Sequence, residues 1–337
     1  FDSFLLDENL DERIAKLMLL KKSNNNFDTY FFGSSTTTVF YPTELKKLNI
    51  NSFNTSFSGG SVSEHLVYLN WILKNKKKPK RLFIELRDHS LLDIEFNVTT
   101  PPDLLSFFLK AKFYFTELFS IKFIIKNFIN FDQIFFKIKN IIKFNFNKYT
   151  PFYFEIKMIT NENIKKKKEY VLAGTRYYQS YFEIKNNSEL ENLKNEEILK
   201  SEFIFINKKI DNKKMSDLKK IVEKCNFYNI DCKFFFGPVY KDLLFKNNSQ
   251  YLTRELFIIE QILKKEILDK IYYFNNNEYS QNVKNFIHDQ LHYNYEIAYN
   301  ITEELLLNDN KSTKTLTILT NYNFEDYKNI NLPHEKD

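Results

Sequence analysis

The chain has 337 residues, 43% of them hydrophobic and 27% charged, with 36 Phe and 21 Tyr, which gives it ample surface to bury and argues against disorder. Five Gly and seven Pro exclude a collagen-like or linker-dominated chain, and two Cys exclude a disulfide scaffold or a Cys-rich zinc module. The net charge of +6 is unevenly placed: residues 101–150 hold Lys110, 112, 122, 126, 137, 139, 143 and 148 against only Asp103, Glu117 and Asp132.

Asp2 to Leu20 carries Leu6, Leu10, Ile14 and Leu17 at helical spacing and reads as a lead-in helix, followed by a polar linker at Ser23 to Asn26. Thr29 to Phe32 is a short buried strand that runs into Gly33-Ser34-Ser35 and then a helix. Ile50 to Phe53 forms a second strand, ending at Asn54 before a Gly59-Gly60 turn. Ser61 to Leu73 is a helix with Val62, Leu66, Leu69 and Leu73 on one face. Arg81 to Leu86 is a third strand, with Arg87, Asp88, His89 and Ser90 clustered at its end. The strand-helix-strand rhythm predicts an α/β fold with a parallel sheet.

Pro101-Pro102 interrupts this rhythm. Beyond it, Leu104, Phe108, Ala111, Phe115 and Leu118 follow helical spacing, and residues 101–206 read as a helical, basic insertion. The rhythm returns with a helix over Met215 to Asn226, a strand over Cys232 to Phe236, a helix over Leu252 to Leu268 and a strand over Ile271 to Phe274. A helix over Tyr293 to Leu307 follows. The predicted organisation is residues 1–27 as lead-in helix and linker, 28–100 with 207–310 as one α/β domain, 101–206 as the insertion, and 311–337 as an edge strand or tail. Cys225 and Cys232 can form one bridge, but their spacing alone leaves the redox state open. The chain holds no window of about 18 uncharged apolar residues, so no segment reads as a bilayer span. It begins at Phe1, which suggests a fragment from which a leader or anchor has been removed.

Glycine is scarce, so its placement carries information. Gly33, Gly59, Gly60 and Gly237 all fall just after predicted strands, where a parallel sheet binds its ligands. Ser35, Asn54, Gly59, Arg87 and Asp88 converge on that edge. A hydroxyl nucleophile also needs a base, and Asp289-Gln290-Leu291-His292 supplies one: at i and i+3, Asp289 can hold one ring nitrogen of His292 while the other faces the serine. His288 and His292 imitate a zincin helix, but the acid beside the first His is Asp289 rather than Glu and no third ligand is evident, so no metal and no cofactor is expected.

Four ordered blocks resemble the SGNH (GDSL-type) hydrolase superfamily: Gly33-Ser34-Ser35, Asn54 to Gly59, Ile84 to Asp88, and Asp289 to His292. With Gly-Ser-Ser in the first block, the chain looks nearest to an envelope branch that includes D-alanyl-lipoteichoic acid biosynthesis and alginate O-acetylation proteins. The resemblance covers about residues 1–95 and 215–307. It implies a three-layer α/β/α flavodoxin-like fold, with Ser35 as nucleophile, His292 as base, Asp289 as its orienter, and the Ser35 and Gly59 amides as oxyanion donors. Arg87 stands where the family has an Asn, so it either substitutes as the third donor or pairs with Asp88. Asn54, Asp88 and Arg176 are the substrate-binding candidates.

The implied activity is that of an esterase or O-acyltransferase, most simply O-acetyl, on a cell-envelope glycan. The implied partners are an acylated glycan or acyl donor and a membrane-bound O-acyltransferase; the alternative is a non-catalytic module that binds a polysaccharide or that acyltransferase. The implied location is the cell envelope, on a periplasmic or extracytoplasmic face. The basic, aromatic stretch 101–150 reads either as a helical lid with a solvated Lys face or as a contact with membrane or partner. Nucleic acid is not an expected partner, since no nucleic-acid motif accompanies the charge.

Overall fold

The computed structural model describes residues 13, 16, 17, 20, 21, 23, 26–93, 209–245, 251–275, 277–287, 289–308 and 311–332. The chain divides into two units, Phe1–Asn24 with Val98–Ile164, and Asn25–Asn97 with Lys165–Asp337. In the first unit, residues 13, 16, 17, 20 and 21 are helical and Leu17 and Leu20 are buried, the i, i+3 pattern of an amphipathic helix. The basic insertion, Arg176 and His288 lie outside the described residues.

The second unit is built on a six-stranded sheet among the described residues, in the order β2-β1-β3-β4-β5-β6. Its strands are β1 (Thr29–Phe32), β2 (Ser52–Asn54), β3 (Arg81–Glu85), β4 (Asp231–Phe236), β5 (Lys270–Tyr273) and β6 (Thr317–Thr320). The first five run parallel. Their near-continuous apolar runs, such as Tyr30-Phe31-Phe32 and Phe234-Phe235-Phe236, are what a strand covered on both faces requires. β6 pairs antiparallel to β5, so the sheet is mixed at one edge. The chain reaches that edge from above: Asn277 Nδ2 donates to the Thr315 carbonyl beside the carboxyl end of β5, so β6 can only run downward.

Among the described residues five longer helices cover the faces: α1 (Val62–Asn75), α2 (Asn212–Phe227), α3 (Tyr251–Lys264), α4 (Tyr295–Leu307) and α5 (Phe324–Asn331). On one face Ile297, Ile301 and Leu305 of α4 pack with Phe31, Phe83, Phe235 and Tyr272. The alternate strand residues face the other way, where His65 of α1 lies 5.5 Å from the Phe32 ring and Glu255 of α3 accepts from the Tyr273 hydroxyl at 2.8 Å. α1 starts with a capping box, Ser61 Oγ accepting from Glu64 N at 3.4 Å while Glu64 Oε2 accepts from Ser61 N at 2.9 Å.

The two cysteines form a disulfide, Cys225 near the end of α2 to Cys232 in β4. Between them Asn229 takes a left-handed conformation at φ 51° and turns the chain out of the helix. The winding of the sheet reverses between β1 and β3, so the loops after these two strands flank the crevice in which such sheets bind ligands.

Candidate active site

β1 ends at Phe32, and past Gly33 and Ser34 the chain tightens into a short 3-10 helix, Ser35–Val39, at the place where a helix was expected. Gly33 has no room for a side chain: a Cβ there would lie 1.9 Å from Thr37 Oγ1 and 3.1 Å from Glu85 Cβ. A serine at the head of a helical turn often spends its hydroxyl on a backbone N–H. Here the cap position is Ser34, which makes no such bond, and half-buried Ser35 is left to point elsewhere. Its hydroxyl meets His292 Nε2 at 2.8 Å.

His292 is carried by a bend that a small antiparallel bridge closes. Phe286 pairs with Tyr293, and Ile287 N donates to the His292 carbonyl at 2.8 Å. Within the bend Asp289 does two jobs. Its Oδ1 accepts from Leu291 N at 2.7 Å and His292 N at 2.8 Å, which folds the backbone, and its Oδ2 lies 2.6 Å from His292 Nδ1. An ionised carboxylate only accepts, so the ring proton belongs on Nδ1, and Nε2 is left with the lone pair that can receive the Ser35 proton. Burial pulls the Asp289 carboxyl up, but the His292 ring bond, the His292 charge and the two backbone N–H groups outweigh it and hold the group below its ordinary range. Immediately after the base, buried Tyr293 leads to Asn294, whose Oδ1 accepts from Ile297 N at 3.0 Å and starts α4.

The loop after β2 leans on the nucleophile turn. Phe57 N donates to the Gly33 carbonyl at 3.4 Å, and a Cβ on Gly60 would stand 2.4 Å from that same carbonyl oxygen. Gly59 between them is left-handed at φ 64°, a conformation that suits glycine. The Gly59 turn is thus held against the Gly33 end of the loop that carries Ser35.

Three candidates take a different place from the one expected. Asn54 is fully buried and spent on the protein: its Nδ2 donates to the Thr37 carbonyl at 2.8 Å and the Phe40 carbonyl at 3.1 Å, while its Oδ1 accepts from both the amide and hydroxyl of Ser56. It pins the nucleophile turn to β2 and has no capacity left for a substrate. Arg87 pairs with Glu85 rather than with Asp88. It is 1% exposed, ion-paired to Glu85 Oε1 at 3.0 Å, and donates to the Pro238 carbonyl at 3.3 Å. Burial pulls the guanidinium pKa down, but Glu85, Tyr251, Tyr293 and Glu255 together outweigh it and leave the group raised. Asp88 is likewise buried, 2.7 Å from Arg254 Nη2 of α3. Burial raises its carboxyl, and the His89 bond, the His89 charge and Arg254 bring it below the ordinary value.

The residues that sequence reasoning missed are Glu85, Thr36, Thr37 and Tyr293. Thr36 Oγ1 donates to Glu85 Oε2, Thr37 Oγ1 does so at 2.5 Å, and the Tyr293 hydroxyl donates to Glu85 Oε1 at 3.0 Å. One signal was available: a Glu inside Leu-Phe-Ile-Glu-Leu, otherwise an apolar strand, is a charge that must be paired if it is buried.

Chemically, a hydroxyl, an imidazole and a carboxylate in hydrogen-bonded series form a proton-transfer chain able to activate the hydroxyl as a nucleophile. No family model matches the chain, and no curated protein matches it. Among the described residues no cluster of three His, Cys, Asp or Glu side chains could hold a metal ion, and no helix is long and apolar enough to cross a membrane.

Proposed function

We propose that the chain is a serine-dependent esterase or O-acyltransferase of the SGNH (GDSL-type) kind, moving an acyl group, most simply acetyl, on a cell-envelope glycan. The observation that carries this reading is the series Ser35 Oγ to His292 Nε2 at 2.8 Å and His292 Nδ1 to Asp289 Oδ2 at 2.6 Å. The strand order 2-1-3-4-5 with helices on both faces supports the three-layer flavodoxin-like form of that superfamily. In this reading His292 takes the Ser35 proton as Oγ attacks the acyl carbonyl. The amides of Ser35 and Gly59 hold the oxyanion, each contributing on the order of 2.7 to 4 kcal/mol. Collapse expels the leaving alcohol, which receives the proton from His292, and the acyl group then passes to water or a sugar hydroxyl by the reverse path.

The Cys225–Cys232 disulfide supports an oxidising compartment such as the cell envelope. An acylated glycan or acyl donor and a membrane-bound O-acyltransferase are the partners that fit. One observation favours a second reading, a non-catalytic module that binds a glycan or that acyltransferase: Arg87, the candidate third oxyanion donor, is drawn into its pair with Glu85.

The deciding experiment is incubation with p-nitrophenyl acetate, followed by intact-mass analysis and then addition of a sugar acceptor. An acetyl adduct that Ser35→Ala abolishes, and that the sugar discharges faster than water does, supports acyl transfer. Discharge by water alone supports an esterase. A folded protein that forms no adduct and releases no p-nitrophenol supports the binding module.

A further inference from the structure

Ser35 and His292 are 257 residues apart in sequence, one at the head of a 3-10 turn and the other in a bend, and neither stands on a long helix or a strand. A contact made between two such short segments keeps its angle only if tertiary bonds hold both to a common point. We infer that Glu85 is that point: a positioning residue whose one buried carboxylate receives a hydroxyl from the residue after the nucleophile and a hydroxyl from the residue after the base.

Glu85 closes β3 and is 1% exposed. Its Oε2 accepts from Thr36 Oγ1 and Thr37 Oγ1, both on the turn that Ser35 opens. Its Oε1 accepts from Tyr293, adjacent to His292, at 3.0 Å and faces Arg87 Nη2 at 3.0 Å. An ionised carboxylate offers about four acceptor sites and no donor, and here four donors meet it. Two of the chain's five glycines keep this space open. A Cβ on Gly237 would lie 2.3 Å from Glu85 Oε1 and 2.7 Å from Tyr293 Cε1, and one on Gly33 would lie 1.9 Å from Thr37 Oγ1. A buried charge pair gains little stability over an apolar filling of the same volume, so stability alone does not account for it. What it supplies is a fixed separation between two loops from opposite ends of the chain. The amide of Glu85→Gln would bring a donor to this cluster of donors, and Glu85→Ala would strand Arg87 as an unpaired buried charge.

The inference rests on the reading of Ser35 as nucleophile, and its test separates the two. Inactivation by a fluorophosphonate is followed for the wild type, Thr36→Val, Tyr293→Phe and the double variant, each well below its melting temperature, giving a limiting rate constant and an apparent KI. Neither single substitution removes Glu85 or Arg87, and both keep side-chain shape, so each variant is expected to fold. Each is expected to lower the limiting rate by roughly tenfold, as misalignment of reacting groups does, with KI unchanged. The double variant is expected to fall short of the product of the two losses, because both act through one carboxylate on one Ser35–His292 contact. Folded single variants that react at the wild-type rate, or losses that multiply independently, would overturn the assignment of Glu85 alone. An unlabelled wild type would overturn the nucleophile reading, and the role of Glu85 with it.

Discussion

Replacing Asp289 by Asn tests the proton chain at the point where its direction is set. The carboxylate accepts at both oxygens, from two backbone N–H groups at 2.7 and 2.8 Å and from His292 Nδ1 at 2.6 Å. An amide can copy only half of that. With its oxygen toward Leu291 N and His292 N, its NH2 faces Nδ1, which must then accept. The ring proton moves to Nε2, and an N–H rather than a lone pair points at Ser35. With the oxygen toward Nδ1, the NH2 opposes two backbone donors. The first arrangement keeps more bonds, so the wrong tautomer dominates, at a cost of about 10⁴ in acylation rate, or about 5.5 kcal/mol of barrier. Single-turnover acylation by p-nitrophenyl acetate reads this directly, with Ser35→Ala as the baseline. The substitution also carries a signature in acid. The Asp289 carboxyl is held below its unfolded value of about 3.9, so its contribution to stability is present above that pH and lost as pH falls through the folded value. In Asp289→Asn that component of acid destabilisation should be absent. An Asn variant that acylates within a few-fold of the wild type would refute the argument from the tautomer.

Three further outcomes follow from buried features. Gly237→Ala sets a methyl against Glu85 Oε1 and Tyr293 and should lower stability by about 1–3 kcal/mol, as overpacking does; an unchanged midpoint in urea would refute the close packing at Gly237. Burial pushes the Glu255 carboxyl up to about 7, against the pull of Arg87 and its bonds from Tyr273 and Asn275. The native state then holds a proton that the unfolded state has already lost, so stability should fall by about 3 kcal/mol as pH rises from the unfolded value to about 7, and Glu255→Gln should flatten that fall in pH-dependent urea melts. Reducing the Cys225–Cys232 bridge, whose partners are 7 residues apart, should cost about 2.5 kcal/mol on the loop-entropy relation, read as a shift in melting temperature with and without reductant.

The strands were legible because a parallel sheet covered on both faces leaves continuous apolar runs, and Tyr30-Phe31-Phe32 and Phe234-Phe235-Phe236 show them plainly. Asp289 and His292 were legible because their relation is local, three residues apart, although the structure places them in a bridged bend rather than on a helical turn. Arg87 was misjudged because the sequence offers it two acids, Asp88 next to it and Glu85 two residues back on the same side of the strand end, and only the fold shows that Arg254 of α3 takes Asp88 and leaves Arg87 to Glu85. The antiparallel direction of β6 and the α5 helix were missed for a similar reason. Both depend on where the chain re-enters the carboxyl edge, and α5 buries only Phe324 among its apolar residues, too little for a readable stripe. Glu85 is the clearest case. Apart from Arg87 two residues on, its partners lie at 36, 37 and 293, and no spacing joins those until the sheet does.

The most direct test of Ser35 as the reactive hydroxyl is labelling with a fluorophosphonate, read by intact mass and peptide mapping in the wild type, Ser35→Ala and Ser34→Ala. The expected result is one adduct, mapped to Ser35, retained in Ser34→Ala and absent from Ser35→Ala. Equal labelling of folded Ser35→Ala, or an adduct mapped to Ser34, would contradict the 2.8 Å contact with His292 as the origin of the chemistry.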